Sequence, residues 1–326
     1  MRQNKRTVIL VLGMHRSGTS AIARSLEVLG ISFGENLMPP ASFNSKGFWE
    51  DTVCVEINRR LLSAFNSSYH AFNFNWSARD SAKVIEDIRS EAIEYIKKQS
   101  DRYKLWAFKD PRLCRLLPFW QEVFESVGCD VRYVIALRNP KSVAESLFKR
   151  DDFSYKKTYF LWLQDMLHVI NGTKHSPAVV VDYDLMIRDP QKQLSRIAKN
   201  LLLNMPSSTS AALEDYCNDF LDGQLRNTTY TAEQLEQDEN APQDVVTLYS
   251  LLSRAARDEI SLDVEEAIEI VEPLAERQKA FAQLFDYSNE LQEKIEVLSQ
   301  KNQIWKHQAI RRYILNPLNW YKIFRV

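Results

Sequence analysis

The sequence has few cysteines, no long apolar run and no excess charge of either sign. Its four cysteines are far apart and lack the spacing of a metal site, so we interpret them as reduced thiols of an intracellular protein. The 42 basic and 43 acidic residues nearly cancel, which gives no indication of a nucleic-acid partner. No stretch approaches the roughly 20 apolar residues of a membrane-spanning helix. These absences predict a cytoplasmic globular protein without a metal.

The chain begins MRQNKRTVILVLG, which is basic and then apolar, as in a secretory leader. The apolar run is short, however, and it leads directly into a glycine turn and charged residues. We therefore interpret it as a first β-strand rather than as a leader.

Four short runs rich in Val and Ile predict buried strands. They are Thr7–Leu12, Leu105–Lys109, Val131–Leu137 and Ala178–Tyr183. Between them lie segments of helical period, such as Ser81–Gln99 and Lys156–Ile170, and Pro190 marks the first turn of a further helix. Strands that alternate with helices predict an α/β fold, in which a parallel sheet carries helices on both faces.

The composition changes in the last third of the chain. We predict an α/β domain over residues 1–227, a polar and acidic loop or linker over 228–243, and a helical extension over 244–326. Apolar residues recur there at heptad spacing. They are Leu284, Leu291, Leu298 and Trp305, with Phe281, Ser288, Ile295 and Asn302 at the companion positions. Two interpretations stay open: a short coiled coil that forms a homodimer, or a helix that packs on its own domain.

The last residues, RRYILNPLNWYKIFRV, mix arginines with aromatic side chains. Such a segment suits contact with a membrane surface or a partner, which would place the protein at the inner face of a membrane. Packing of the terminus on the protein itself is the alternative.

The stretch VLGMHRSGTS joins the first strand to a helix and has the form of a phosphate-binding loop. Gly13 and Gly18 have the usual spacing, but Thr19 occupies the position of the usual lysine. The cation is instead Arg16, whose planar guanidinium binds phosphate or sulfate oxygens in pairs. Further hydroxyl donors come from Ser17, Thr19 and Ser20. Together with the helix N-terminus, these groups predict an anion site that needs no metal.

The loop GMHRSGTS resembles the 5′-phosphosulfate loop of sulfotransferases that use 3′-phosphoadenylyl sulfate (PAPS). A second stretch, RNPKSVAESLFKR, is similar to the motif that holds the ribose 3′-phosphate in that family. Arg138 and Ser146 match its spacing, and Arg150 matches a further phosphate-contacting arginine of the tyrosylprotein branch. Arg138 also ends a predicted strand, where open α/β sheets bind ligands.

Three further stretches extend the resemblance, which covers about Thr7 to Arg226. Lys109 in WAFKDPRL matches a lysine of the tyrosylprotein branch and of bacterial relatives that lies against the transferred group. Tyr183 in VVVDYDLMIRDP takes the place of a tyrosine that approaches the adenine. Arg226 in FLDGQLRNT resembles a late residue that helps to close the nucleotide site.

The resemblance implies in-line sulfuryl transfer to an acceptor hydroxyl, with Arg16 and Lys109 stabilising the leaving group. A base must take the acceptor proton. Some family members use a histidine after the second strand, but Pro111 stands there. Other branches use a glutamate between the loop helix and the next helix, so the resemblance implies Glu50, whose apolar neighbours favour a raised pKa, with Glu35 and Asp51 as alternatives.

Two histidines stay open. His15 lies in the loop and either contacts substrate, acts as the base or stabilises the loop. His70 lies in NSSYHAFNFNW, a mixture of amides and aromatic rings that suits sugars and equally suits a packed surface loop.

The acceptor implied by the resemblance is a hydroxyl of a carbohydrate, glycolipid or polysaccharide precursor. Alternatives are sulfation of a protein tyrosine or a small metabolite, a small-molecule kinase or NTPase with an altered loop, and a non-catalytic scaffold. Thr19 at the lysine position argues against the kinase.

Overall fold

A computed structural model describes residues 6–41, 46–72, 82–205, 211–221 and 228–315. Within these residues the strands form one parallel sheet in the order β2-β1-β3-β4. They are β1 (Thr7–Leu12), β2 (Leu105–Lys109), β3 (Asp130–Leu137) and β4 (Ala178–Asp182). The predicted parallel sheet is confirmed. β4 ends one residue before the predicted end because Tyr183 already begins a helix.

The side chains of β1 alternate between two hydrophobic clusters, as the period of a strand requires. Leu10 and Leu12 enter the larger cluster, whereas Ile9 and Val11 enter the smaller one on the other face. All four are fully buried. Both faces of the sheet are therefore covered, which is why the strands read as unbroken apolar runs in the sequence.

Eight helices of the described α/β region precede residue 205. They are α1 (Thr19–Val28), α2 (Thr52–Ala64), α3 (Ala82–Arg102), α4 (Leu113–Val127), α5 (Pro140–Asp151), α6 (Tyr155–Thr173), α7 (Tyr183–Arg188) and α8 (Pro190–Asn200). Helices α2 to α6 contribute to the larger cluster, and α1, α7 and α8 contribute to the smaller one. Proline opens both α5 and α8, as is typical of the first helical position.

The next elements are α9 (Ala211–Asp215), a π-helical turn (Tyr216–Phe220), α10 (Ala232–Glu236), α11 (Gln243–Ala256) and α12 (Glu265–Ala280). The segment 228–243, which we predicted to be a loop or linker, contains the short helix α10. Thr228 and Leu235 are buried, and a capping box between Thr231 and Gln234 starts α10. The first compact unit spans Met1–Gln278.

The second unit, Lys279–Val326, contains α13 (Ala282–Leu315). Four side chains at its predicted heptad positions are largely exposed: Leu284, Leu291, Ile295 and Leu298. The coiled coil stays a prediction, and residues 316–326 of the basic and aromatic tail lie outside the described residues. No described helix combines the length and apolar character needed to cross a membrane.

Candidate active site

The loop between β1 and α1 is held in an uncommon backbone conformation. Arg16 has a φ of 71° and Gly18 a φ of 78°, and the left-handed region costs a non-glycine residue about 1–2 kcal/mol. Surrounding groups fix this shape, because the Gly13 amide donates to Cys114 Sγ at 3.2 Å and the Ser17 amide donates to the Met14 carbonyl at 3.2 Å. Strained residues held by their surroundings are typical of ligand-binding sites.

The first and second arginine motifs meet at the carboxyl edge of the sheet. Arg16 Nε donates to Ser146 Oγ at 2.8 Å, and Arg138 Nη1 donates to the Arg16 carbonyl at 3.0 Å. β1 and β3 are neighbours, which explains why residues far apart in sequence converge. Burial lowers the pKa of the Arg16 guanidinium, and the positive charges of Arg150 and Arg138 lower it further. Cations this close together favour an anionic ligand between them.

Tyr183 joins this cluster from the start of α7. The Arg138 guanidinium lies 5.0 Å from the centre of its ring. The ring also packs on Gly18 so closely that a Cβ atom there would lie 2.2 Å from Tyr183 Cδ2. The loop, Arg138 and Tyr183 therefore form one packed unit.

We expect Gly18→Ala to destabilise the protein by more than the left-handed backbone alone costs, about 1–2 kcal/mol, because the new methyl group collides with Tyr183. Gly30→Ala is the matched control: its φ is 79°, and a Cβ there meets no described atom within 4 Å. Thermal unfolding of both variants isolates the collision, and we expect only Gly18→Ala to weaken nucleotide binding. Equal effects of the two substitutions on unfolding and binding would contradict this packing.

A second cluster surrounds Lys109 at the end of β2. Lys109 Nζ donates to Glu50 Oε1 at 2.7 Å and to the Phe48 carbonyl at 3.0 Å, and Ser20 Oγ lies 3.5 Å away. Lys109 and Glu50 are both buried. Burial raises the pKa of the Glu50 carboxyl above its ordinary value, although the charge of Lys109 opposes this. The pair thus places a cation and a poised carboxylate beside the start of α1.

The other two acidic candidates have different surroundings. Asp51 is the N-cap of α2 and accepts hydrogen bonds from the amides of Val53 and Cys54. It also accepts one from the Tyr95 hydroxyl at 2.6 Å, so its oxygens serve the fold. Glu35 is exposed and pairs with Arg102. Of the three carboxylates, Glu50 is the one bonded to Lys109.

For two predicted nucleotide-binding arginines, the structure gives no hydrogen bond to the loop between β1 and α1 within the described residues. Arg150 lies one helical turn beyond Ser146 on α5, and it pairs with Asp151, Nε to Oδ1 at 2.9 Å and Nη2 to Oδ2 at 2.6 Å. Arg226 lies outside the described residues.

Two buried polar atoms of the loop have no hydrogen-bond partner in the described structure. Within the described part of the chain, Ser17 Oγ and His15 Nε2 are buried and have no hydrogen-bond partner. An unpaired buried group costs about 1–3 kcal/mol, and a phosphate or sulfonate oxygen would pair with the Ser17 hydroxyl. Thr19 is buried as the first residue of α1, and Ser20 Oγ donates to the Phe48 carbonyl at 3.4 Å. The loop therefore offers an unpaired hydroxyl donor to a phosphate or sulfonate oxygen.

Three contributors to the site were not predicted from the sequence. Arg138 Nη2 donates to the Thr228 carbonyl at 2.9 Å, and the Asn139 side chain donates to the carbonyls of Tyr230 and Thr231. The Phe48 carbonyl accepts a hydrogen bond from Lys109 Nζ. Backbone carbonyls carry no sequence signal, but Asn139 directly before Pro140 was a readable helix-cap signal.

The sequence model of the Sulfotransferase family matches residues 8–207, a stretch that contains both arginine motifs and Lys109. No curated protein matches the chain significantly.

Solved structures of low identity are also similar. The sulfotransferase domain from the Synechococcus PCC 7002 olefin synthase has 17% identity and a TM-score of 0.38, over 84% of this chain and 96% of that one. The sulfotransferase domain from the curacin biosynthetic pathway has 16% identity and a TM-score of 0.38, and the match covers 82% of this chain and 97% of that one. Sulfotransferase STF9 from Mycobacterium avium has 16% identity and a TM-score of 0.38, and the match covers 87% of this chain and 77% of that one. Since the family match spans more than half of the chain, this protein belongs to the sulfotransferase family and is a sulfotransferase enzyme.

Proposed function

We propose that the enzyme transfers the sulfuryl group of PAPS to a hydroxyl of a carbohydrate, glycolipid or polysaccharide acceptor. The convergence of Arg16, Ser146 and Arg138 is the observation that carries this proposal. PAPS has phosphate groups at both its 5′ and 3′ ends, and the two arginine motifs supply a separate cation for each.

The nucleotide-binding set is Arg16, Ser17, Gly18, Thr19, Ser20, Arg138, Ser146, Arg150, Tyr183 and Arg226. Arg16 supports the assignment most directly, because it donates to the neutral Ser146 hydroxyl and its positive charge is therefore available to an anion. By contrast, Lys109 and Arg150 are each paired with a carboxylate.

The donor supplies a sulfuryl group on a phosphate oxygen. In the transfer, the acceptor oxygen bonds to sulfur while the bond from sulfur to the phosphate oxygen breaks, and its electron pair stays on that oxygen. Arg16 and Lys109 stabilise the resulting negative charge. Glu50 takes the proton of the acceptor hydroxyl, for which its raised pKa suits it.

Calorimetry with adenosine 3′,5′-bisphosphate, the spent nucleotide, tests the proposal. We expect it to bind in the presence of EDTA, and we expect ATP with magnesium to bind at least about tenfold more weakly, a difference of about 1.4 kcal/mol. The physical reason is that ATP has no 3′-phosphate for Arg138 and Ser146. Tight, magnesium-dependent binding of ATP with no binding of the bisphosphate would instead support a kinase or NTPase.

A further inference from the structure

His15 has a different environment from its neighbour Arg16. The Arg16 side chain bonds to Ser146 on α5, whereas the imidazole of His15 lies against the ring of Tyr69, with 4.7 Å between the ring centres. Successive loop residues thus contact different parts of the site, and His15 contacts the segment 66–72 that follows α2.

The Nε2 atom of His15 is buried, and within the described residues it has no hydrogen-bond partner. Leaving a buried polar atom unpaired is costly, and a polar group of a bound ligand would offset this cost at His15 Nε2. The site already supplies Ser17, Ser20 and Arg16 for the nucleotide, whereas Glu50 is so far the one contact assigned to the acceptor.

Positive charges surround this imidazole. Burial lowers its pKa well below the usual value, and the charges of Arg112, Arg150, Lys109 and Arg115 lower it further. Arg112 is the N-cap of α4 and Arg115 lies in its first turn. Arg150 lies in the last turn of α5 and Lys109 is the last residue of β2. Cations from three elements therefore act on His15. A neutral imidazole exchanges hydrogen bonds with a hydroxyl but is a poor proton acceptor among cations.

Aromatic rings continue outward from His15. Tyr69 contacts His70 with ring centres 5.0 Å apart, and Phe153 lies 5.9 Å from His70 and 6.3 Å from Tyr69. All three side chains are partly exposed. Aromatic faces carry partial negative charge and attract the polarised C–H groups of a sugar ring.

We propose that His15 and the rings of Tyr69, His70 and Phe153 form the acceptor subsite: the rings seat a sugar, and His15 Nε2 hydrogen-bonds the hydroxyl that is sulfated. This inference rests on the proposed function. His15 Nε2–H donates to the acceptor oxygen and orients it toward sulfur, and the proton of that hydroxyl passes to Glu50, which pairs with Lys109.

The test measures transfer of radiolabelled sulfate from PAPS to p-nitrophenyl β-galactoside, glucoside and N-acetylglucosaminide, with 4-methylumbelliferone as a phenolic acceptor. Two substitutions separate the possible roles of His15. In His15→Gln the side-chain amide nitrogen takes the position of Nε2. In His15→Asn the side chain is too short for its amide nitrogen to reach that position. The exposed His175→Asn is the matched control. Binding of adenosine 3′,5′-bisphosphate is measured for every variant.

We expect the wild type to sulfate a sugar, and His15→Asn to lower kcat/KM for that sugar at least about tenfold. His15→Gln should restore it to within about threefold of wild type, and nucleotide affinity should not change. Tyr69→Leu should raise the KM for the sugar and leave the nucleotide affinity and the thermal stability unchanged. This variant tests the subsite independently if the His15 variants do not fold.

Four outcomes overturn the subsite. The first is a wild-type kcat/KM in His15→Asn, and the second is an equal loss of kcat/KM in His15→Gln and His15→Asn. The third is a loss of nucleotide affinity in the His15 variants that parallels their loss of activity. The fourth is sulfate transfer by the wild type to the phenol alone or to no acceptor. The last differs from failure of the proposed function, in which the wild type would also fail to bind adenosine 3′,5′-bisphosphate.

Discussion

Arg138→Ala is expected to weaken binding of adenosine 3′,5′-bisphosphate by at least about 30-fold, which corresponds to about 2 kcal/mol. The guanidinium is buried and donates to the carbonyls of Arg16 and Thr228. Its loss would remove the cation assigned to the 3′-phosphate and also release the strained backbone at Arg16. Calorimetry at low and moderate salt gives the measurement, and the affinity of the wild type should fall as salt rises.

Arg132→Ala is the matched control for this variant. Arg132 lies on the same strand, β3, but near its start, where it pairs with Asp130 at 3.1 Å. We expect this control to bind the nucleotide like the wild type. Binding by Arg138→Ala within about threefold of wild type, well under 1 kcal/mol, would show that Arg138 is not the 3′-phosphate residue.

Glu50→Gln is expected to lower kcat by about 10²–10⁴-fold, the usual contribution of a general base. Glutamine keeps an oxygen that can accept from Lys109 Nζ, so the geometry of the pair should survive while the proton acceptor is lost. Nucleotide affinity should therefore remain near that of the wild type. The measurement is sulfate transfer to the sugar that the wild type uses best.

The pH dependence of kcat gives an independent test of the same residue. Glu50 must be deprotonated to accept a proton, so activity should fall as the pH drops through its pKa. Because burial raises this pKa, the acidic limb of the wild type should lie above the pKa of an ordinary glutamate, about 4.3. We expect the limb to disappear in Glu50→Gln.

Glu35→Gln is the control for Glu50, because Glu35 is an exposed carboxylate paired with Arg102. It should keep both the wild-type rate and the acidic limb. A Glu50→Gln enzyme that retains more than about a tenth of the wild-type rate, a loss below 1.4 kcal/mol, together with the limb, would assign the proton transfer to another group.

The sheet could be predicted from the sequence because each strand is buried on both faces. Ile9 and Leu10 point to opposite sides and both must be apolar, so the strand appears as an unbroken apolar run with clear ends. Arg138 could be placed for the same reason. It follows such a run, and the carboxyl ends of parallel strands form the ligand-binding edge.

The segment 228–243 could not be predicted from its polar composition. Thr228 is buried, and its oxygens accept hydrogen bonds from Arg138, a contact between residues far apart in sequence that no local pattern contains. The capping box of Thr231 and Gln234 was legible as T-x-x-Q, but it gives only the start of a short helix. The pairing of Lys109 with Glu50 likewise depends on how β2 and the chain before α2 are placed by the fold.

The contact between Arg138 and Thr228 has a practical consequence for protein engineering. The family match ends at residue 207, so a shortened chain designed from that boundary would lack the carbonyl that orients a central arginine. Exchange of C-terminal portions between homologous enzymes would replace the segment that supplies this carbonyl even if every loop motif were left intact. Swap points placed after Gln278 would keep the first compact unit whole.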